Sequence, residues 1–137
     1  MLDTHIWLWL VNGDDEVRKA GFIPIINRAA HTHGIAIPAI ACWEVAMLAI
    51  RGRITLNENT LDWLRRASAA PGISVYPLTP EVAHESTVLP GTFHGDPADQ
   101  MIVATARILD HQLLTLDRRI LEYAAEGHVK VVPPRHH

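Results

Sequence analysis

The sequence predicts an α/β sandwich, in which a short, mostly parallel central sheet is flanked by helices. Short apolar runs that suit buried strands alternate with longer helical patterns along the chain. The segments between them carry capping and turn residues, and no repeat or low-complexity linker interrupts the alternation. At 137 residues the chain is long enough for a proper core. We therefore expect a single domain over residues 1–137, with a disordered tail at 134–137.

The composition is that of an ordinary soluble globular chain, with 48% hydrophobic and 20% charged residues. No apolar run is long enough for a membrane helix, and the start lacks the basic region and long apolar stretch of a signal peptide. The one cysteine, Cys42, has no intramolecular disulfide partner. A cytoplasmic protein with no membrane partner is the expectation.

The amino-terminal half begins with a very short strand. Its apolar residues are followed at once by Asp3, so the strand is stunted or begins upstream of Met1. Pro24 lies inside a helical pattern and is expected to split or kink it. The predicted elements are, in order, a strand ending at Asp3, a helix over 6–11, helical structure over 16–33, a strand over 35–38 and a helix over 39–51.

The carboxyl-terminal half contains two helix starts with a cap followed by proline. Thr79-Pro80 and Asp96-Pro97 each combine a good N-cap with proline at the first helical position. The predicted elements are a helix over 58–70, a strand over 73–78, a helix over 80–89, a helix from Pro97, a strand over 113–116, a helix over 118–125 and a strand over 128–132.

Four acidic residues fall where this architecture brings them to one edge of the sheet. Asp3 and Asp117 directly follow strands, Asp99 lies in the first turn of a helix, and Glu44 lies on the helix after the second strand. Sites in such sheets lie beyond the carboxyl ends of the strands, so these residues are expected to converge. Asp96 is read as a helix cap by default.

Other roles are open for these acids. Each aspartate can serve only as a cap, because aspartate is among the commonest N-cap residues. Glu44 stands on a strongly apolar helix, where an unpaired carboxylate is costly. It either pairs with Arg51, remains partly exposed, or binds a metal.

A cluster of carboxylates would need cations. Like charges held together raise one another's pKa, and oxygen ligands favour Mg²⁺ or Mn²⁺. The formal charge of the chain is −3, but the charges are unevenly distributed. Without the four acids and Asp96, ten acids remain against twelve bases, and ten of those bases are arginine. A mildly basic shell around an acidic pocket suits a metal-dependent enzyme that hydrolyses nucleic acid.

Four blocks of the sequence carry a resemblance to a known family. They are Leu2-Asp3-Thr4-His5, Trp43-Glu44-Val45-Ala46, Asp96-Pro97-Ala98-Asp99 with the following Ile102-to-Ala106 segment, and Leu114-Thr115-Leu116-Asp117. In this order they resemble the signature blocks of PIN-domain proteins, and in particular VapC-type ribonuclease toxins of toxin–antitoxin pairs. The resemblance covers nearly the whole chain and implies a three-layer PIN-like sandwich.

The resemblance also implies a function and its residues. Asp3, Glu44, Asp99 and Asp117 match the acidic quartet that binds Mg²⁺ or Mn²⁺ and activates water for RNA cleavage, and Asp96 is an additional candidate ligand. The implied partners are an RNA substrate (tRNA or another structured RNA), a homodimer mate, and a cognate antitoxin that wraps the toxin and inserts a basic side chain. Ala41 and Gln100 depart from the family pattern, where a serine and an arginine are common.

The sequence is also compatible with two other functions. The first is a catalytically weak RNA-binding module on the same fold, and the second is a metal-dependent phosphatase of small substrates.

The nine histidines do not indicate zinc, since His31 and His33 have no cysteine partner and the others are scattered. The four tryptophans are expected in the core, with one or two lining the antitoxin groove. The candidate RNA contacts are Arg51, Arg53, Arg65, Arg66, Arg118 and Arg119.

Overall fold

A computed structural model describes residues 1–135 and confirms the predicted α/β architecture. Helices surround a small parallel sheet. The elements are α1 Thr4–Asn12, α2 Glu16–Lys19, α3 Ile23–Ala30, β1 Ile35–Pro38, α4 Ala39–Ile50, α5 Thr60–Ser68, β2 Ile73–Tyr76, α6 Pro80–Thr87, α7 Pro97–Leu109 and α8 Arg118–Ala125.

The sheet is parallel throughout its described part. β1 and β2 pair along all four of their residues. Three shorter segments extend the sheet by single parallel bridges, between Leu2 and Leu114 and between Leu113 and Val131. The Leu2 N–H donates to the Ala36 carbonyl at 2.9 Å, which joins the amino-terminal segment to β1. The order across the sheet is therefore β2, β1, the segment at Leu2, the segment at Leu113–Leu114, and Val131.

Several elements are shorter than the sequence pattern indicates. The strand predicted over 73–78 ends at Tyr76, because Pro77 has no N–H to continue the ladder. The strands predicted over 113–116 and 128–132 contribute only bridging residues. The helical pattern over 16–33 is divided into α2 and α3 before Pro24, which occupies a first-turn position of α3.

Two apolar cores lie on opposite faces of the sheet. Alternate residues of a strand point to opposite faces, so Ile35 and Ile37 enter one core and Ala36 enters the other. The first core also contains the helical residues Ile6, Trp7, Val17, Ile26, Val45 and Trp63, and Phe22, which precedes α3. The second also contains Ile102, Val103, Ala106, Ile120 and Tyr123. The result is three layers, with the sheet between two groups of helices.

The end of the described chain packs against α2. Within the tail predicted over residues 134–137, the Arg135 N–H donates to the Ala20 carbonyl at 2.8 Å. The remainder of that predicted tail, His136 and His137, lies outside the described residues. Within residues 1–135, no helix has the length and apolarity needed to span a bilayer.

Candidate active site

A cleft of about 410 Å³ opens at the carboxyl edge of the sheet and contains every acid of the predicted site. It lies where the amino-terminal segment passes into α1 and where the segment at Leu113–Leu114 leads to α8. The residues that line it are Asp3, His5, Trp9, Glu44, Met47, Leu48, Arg53, Asp96, Asp99, Leu116, Asp117 and Arg119.

Asp3 is held on both carboxylate oxygens. It is the N-cap of α1, and its Oδ1 accepts a hydrogen bond from the Thr4 N–H at 2.6 Å. Its Oδ2 accepts one from the Thr115 hydroxyl at 2.6 Å. The residue is only 5% exposed, so its orientation is fixed by these two contacts at the tip of the amino-terminal segment.

Glu44 reaches the same place from α4. Its side chain is 8% exposed, and its Oε1 accepts a hydrogen bond from the Thr4 hydroxyl at 2.5 Å. Within the described residues no ion pair joins Glu44 to Arg51, so the Glu44–Arg51 pair considered from the sequence does not form. Thr4 therefore bridges two acids, through its N–H to Asp3 and through its hydroxyl to Glu44.

Asp96 and Asp99 come from the start of α7. The Asp96 Oδ1 accepts the Asp99 N–H at 2.9 Å, which confirms the predicted cap, with Pro97 at the first helical position. Carboxylate oxygens of Glu44, Asp96 and Asp99 lie within 4.8 Å of one another. Asp96 thus does more than cap the helix, because its carboxylate also borders the two acids that it helps to position.

Asp117 caps α8 and is tied to Asp3 through one hydroxyl. Its Oδ1 accepts from the N–H groups of Arg119 at 2.8 Å and Ile120 at 3.3 Å. Its own N–H donates to the Thr115 hydroxyl at 3.0 Å, and that hydroxyl in turn donates to Asp3. Thr115 therefore fixes the distance between the ends of two neighbouring segments of the sheet.

The negative charges of the clustered acids repel one another. Burial and, after it, the negative charges of Asp96, Asp117, Asp3 and Glu44 together raise the pKa of the Asp99 carboxyl to about 7. Burial also raises the pKa of Glu44 and of Asp3, although the hydroxyls of Thr4 and Thr115 act in the opposite direction. Within residues 1–135, none of the five acids forms an ion pair with a basic side chain.

The donor set fits a hard divalent cation. The tight group of Glu44, Asp96 and Asp99 offers carboxylate oxygens only, and it is the one group of three or more potential ligands found among the described residues. Mg²⁺ and Mn²⁺ favour such oxygens, whereas structural zinc favours cysteine and histidine. A bound cation would also relieve the repulsion that raises the pKa of Asp99.

Comparison with known proteins agrees with this geometry. The family model of the PIN domain matches residues 1–126. The chain is 35% identical over 120 residues to Ribonuclease VapC22 of Mycobacterium tuberculosis, and the match covers 88% of each chain. This chain belongs to the PIN-domain family. The fold of this PIN domain is also similar to a chain in the crystal structure of VapBC2 from Rickettsia felis bound to a DNA fragment from their promoter. The TM-score is 0.69 at 15% identity, over 98% of each chain.

The PIN domain brings together all the acids that the sequence nominated, but only some of the nominated arginines. Arg53 and Arg119 line the cleft. Arg51 lines a neighbouring cavity, and Arg66 pairs with Glu58. Arg65 and Arg118 are exposed and line neither the cleft nor that cavity.

Two threonines that organise the site were missed from the sequence. Thr4 and Thr115 are both buried, and each contacts acids that are far away along the chain. The available signal was their position beside Asp3 and two residues before Asp117. A buried hydroxyl needs a hydrogen-bond partner, and for a hydroxyl next to a candidate acid a carboxylate is the partner to expect.

Proposed function

We propose that this chain is a divalent-cation-dependent endoribonuclease and acts as the toxin of a VapBC-type toxin–antitoxin pair. The observation that carries the proposal is a cleft with five carboxylates, of which three have raised pKa values and none has a basic partner among the described residues. The 35% identity to a protein named Ribonuclease VapC22 supports the same reaction class.

The residues that would hold the cation are Glu44 and Asp99 at the centre, with Asp96 beside them and Asp3 and Asp117 in the same cleft. When bound, Mg²⁺ or Mn²⁺ lowers the pKa of a coordinated water and neutralises charge on a phosphodiester. The four acids Asp3, Glu44, Asp99 and Asp117 form the proposed catalytic set. Asp96 joins it as a ligand in addition to its role as a cap.

Other residues of the chain position these acids and the substrate. Thr4 and Thr115 hold the carboxylates of Glu44 and Asp3 in place through hydrogen bonds. Arg53 and Arg119 line the cleft with guanidinium groups that suit the RNA backbone, since arginine is a bidentate partner for phosphate. In this proposal they offset the negative charge of the acids as the polyanion approaches.

The proposed partners follow from the toxin assignment. The substrate is tRNA or another structured RNA, the active form is a homodimer, and a cognate antitoxin covers the cleft. The structural neighbour is itself part of a VapBC complex, which supports looking for an antitoxin, although its 15% identity extends only to the fold.

The test is cleavage of a pool of tRNA and structured RNA with Mg²⁺ or Mn²⁺. Wild type is compared with Asp99→Asn, with an EDTA control, and with Asp14→Asn. Asp14 is an exposed acid that follows α1 at the end away from the cleft, so this variant removes a negative charge without touching the site.

Discrete fragments that require metal and Asp99, and that persist in Asp14→Asn, are the expected result. RNA binding without cleavage by wild type in either metal would reduce the chain to a binding module. Hydrolysis of small phosphomonoesters that RNA does not suppress would instead indicate a phosphatase.

A further inference from the structure

A second cavity, of about 360 Å³, adjoins the acidic cleft. It lies between α4 and the start of α7, and Met47 and Asp96 line both spaces. We name it the Trp43 pocket. Its lining residues are Ile40, Trp43, Met47, Arg51, Asp96, Pro97, Ala98 and Met101.

The indole of Trp43 is unusually exposed for its place on the helix. It is 55% exposed, whereas the adjacent Glu44 is 8% exposed and belongs to the acid cluster. The tryptophans were expected in the core, with one or two lining the antitoxin groove; Trp7 and Trp63 are buried in the core, whereas Trp43 is exposed. This large aromatic side chain therefore faces an open pocket one residue away from a proposed metal ligand.

The pocket combines an apolar lining with one basic residue. Ile40, Trp43, Met47 and Arg51 follow one another at helical spacing, so they form a single stripe along α4. Arg51 ends the stripe, and Asp96 marks the side shared with the cleft. An aromatic face, a soft methionine and a terminal guanidinium suit a nucleobase with its attached phosphate.

We propose that the Trp43 pocket receives an unpaired nucleobase next to the scissile phosphodiester, stacked on Trp43, with Arg51 contacting the adjoining backbone phosphate. The proposal rests on the proposed function, because it takes the neighbouring cleft as the place of cleavage. It makes the substrate more specific: a base held in a duplex must first be unstacked and unpaired before it can turn into the pocket, so an unpaired nucleotide should bind there more readily.

The dimensions favour a base over a second protein chain as the occupant. A stable protein interface buries about 800 Å² on each partner. The Trp43 pocket is a local cavity of small-ligand size that is continuous with the cleft through Met47 and Asp96. Ile50, the most exposed large hydrophobic residue at 86%, lies on the same helix but does not line this pocket.

The experiment measures binding without cleavage. Full-length chain carrying Asp99→Asn is titrated, with Mg²⁺ present, into a fluorescently labelled single-stranded RNA and into the same strand annealed to its complement. Trp43→Ala, Trp43→Phe and Ile50→Ala are added to this background. Ile50→Ala is the matched control, because it truncates an exposed apolar residue of α4 outside the pocket.

We expect Trp43→Ala to weaken binding of the single strand by about tenfold, as loss of one stacked base does in other single-strand binders. Trp43→Phe should retain most of the affinity, and Ile50→Ala should match the parent. The duplex should bind more weakly, with no dependence on Trp43. Equal affinity of Trp43→Ala and Ile50→Ala for the single strand would overturn the proposal.

Two further measurements separate the remaining possibilities. Sedimentation of the same variants detects an interface between copies; a change in oligomeric state on Trp43→Ala with unchanged RNA affinity would also overturn the proposal. Cleavage by chains that retain Asp99 is assayed separately. If wild type does not cut RNA, the proposed nuclease falls, while the binding data still decide whether Trp43 stacks a base.

Discussion

The hydroxyl of Thr4 donates to Oε1 of Glu44 across 40 residues of sequence, and both side chains are buried. The same residue donates its N–H to Asp3, so one threonine at the first position of α1 fixes acids from two elements. In metal sites, groups that hydrogen-bond the ligands orient them, and loss of such a group typically lowers metal affinity or activity by about 10- to 100-fold. In the proposed cation site, Thr4 occupies that position.

Thr4→Val is expected to lower cleavage activity and Mg²⁺ affinity by about 10- to 100-fold while leaving the fold intact. Valine keeps the shape of the side chain but leaves the Glu44 carboxylate without its donor. Thr105→Val is the matched control, because Thr105 is also buried but donates to the Met101 carbonyl within α7. Isothermal titration with Mg²⁺ measures the affinity. Equal losses in the two variants would show that the Thr4 contact is not specific to the site.

Asp117 combines two roles that substitution can separate. It caps α8 through its Oδ1 and presents its carboxylate to the cleft. Asparagine caps about as well as aspartate but carries no charge, whereas Asp117→Ala removes both functions and should cost about 1 kcal/mol of stability. We expect both variants to lose RNA cleavage and only Asp117→Ala to lose stability in urea unfolding. Normal cleavage by Asp117→Asn would restrict this residue to capping.

The acids were predictable from the sequence because helix starts and strand ends carry local signals. Asp96 precedes Pro97 as a cap, and Asp117 follows a short apolar run. Their convergence followed from one rule, that parallel strands end at a common edge. The threonine contacts had no comparable signal, since the partner of Thr115 lies 112 residues away. Finding it requires the register of the sheet.

The sequence did not indicate which of the tryptophans would be exposed. α4 is apolar nearly all the way round, so its sequence does not reveal which face is buried. Within that helix Glu44 is buried and Trp43 is open, the reverse of what side-chain polarity favours. The packing of α4 against α7 determines which side chain of α4 is buried, because it turns Glu44 toward Asp99 and leaves the indole of Trp43 beside the Trp43 pocket.

The stability of the metal-free chain should depend on pH through Asp99. Its folded pKa is about 7 against 3.8 for the ordinary carboxyl, so the folded state binds the proton more tightly than the unfolded state does. The contribution of this group to stability is therefore full below the lower value and is lost as the pH rises through about 7. Asp3 and Glu44 shift in the same direction.

In EDTA, the melting temperature of wild type should fall between about pH 5 and pH 7.5. Asp99→Asn should show a shallower fall, and Mg²⁺ should raise the melting temperature of wild type most at the upper end of the range. Scanning calorimetry at several pH values measures both effects. Parallel pH profiles for wild type and Asp99→Asn would contradict the raised pKa of this carboxyl.

Arg119 is expected to contact the RNA backbone. It is exposed at the rim of the cleft, where its guanidinium donates to the His94 carbonyl at 3.4 Å. The N–H that binds Asp117 belongs to the backbone, so Arg119→Gln preserves the cap on α8. The variant should raise KM for RNA several-fold with little change in kcat, because it removes a phosphate contact that does not touch the acids.

Arg66→Gln provides the control, since Arg66 is exposed but pairs with Glu58 outside the cleft. Both variants lose one positive charge, so a general electrostatic effect would appear equally in each. A direct phosphate contact has a sharper signature. In a plot of log affinity against log salt, Arg119→Gln should lower the slope by about one unit while Arg66→Gln leaves it unchanged. Equal slopes for the two variants would place the RNA backbone away from Arg119.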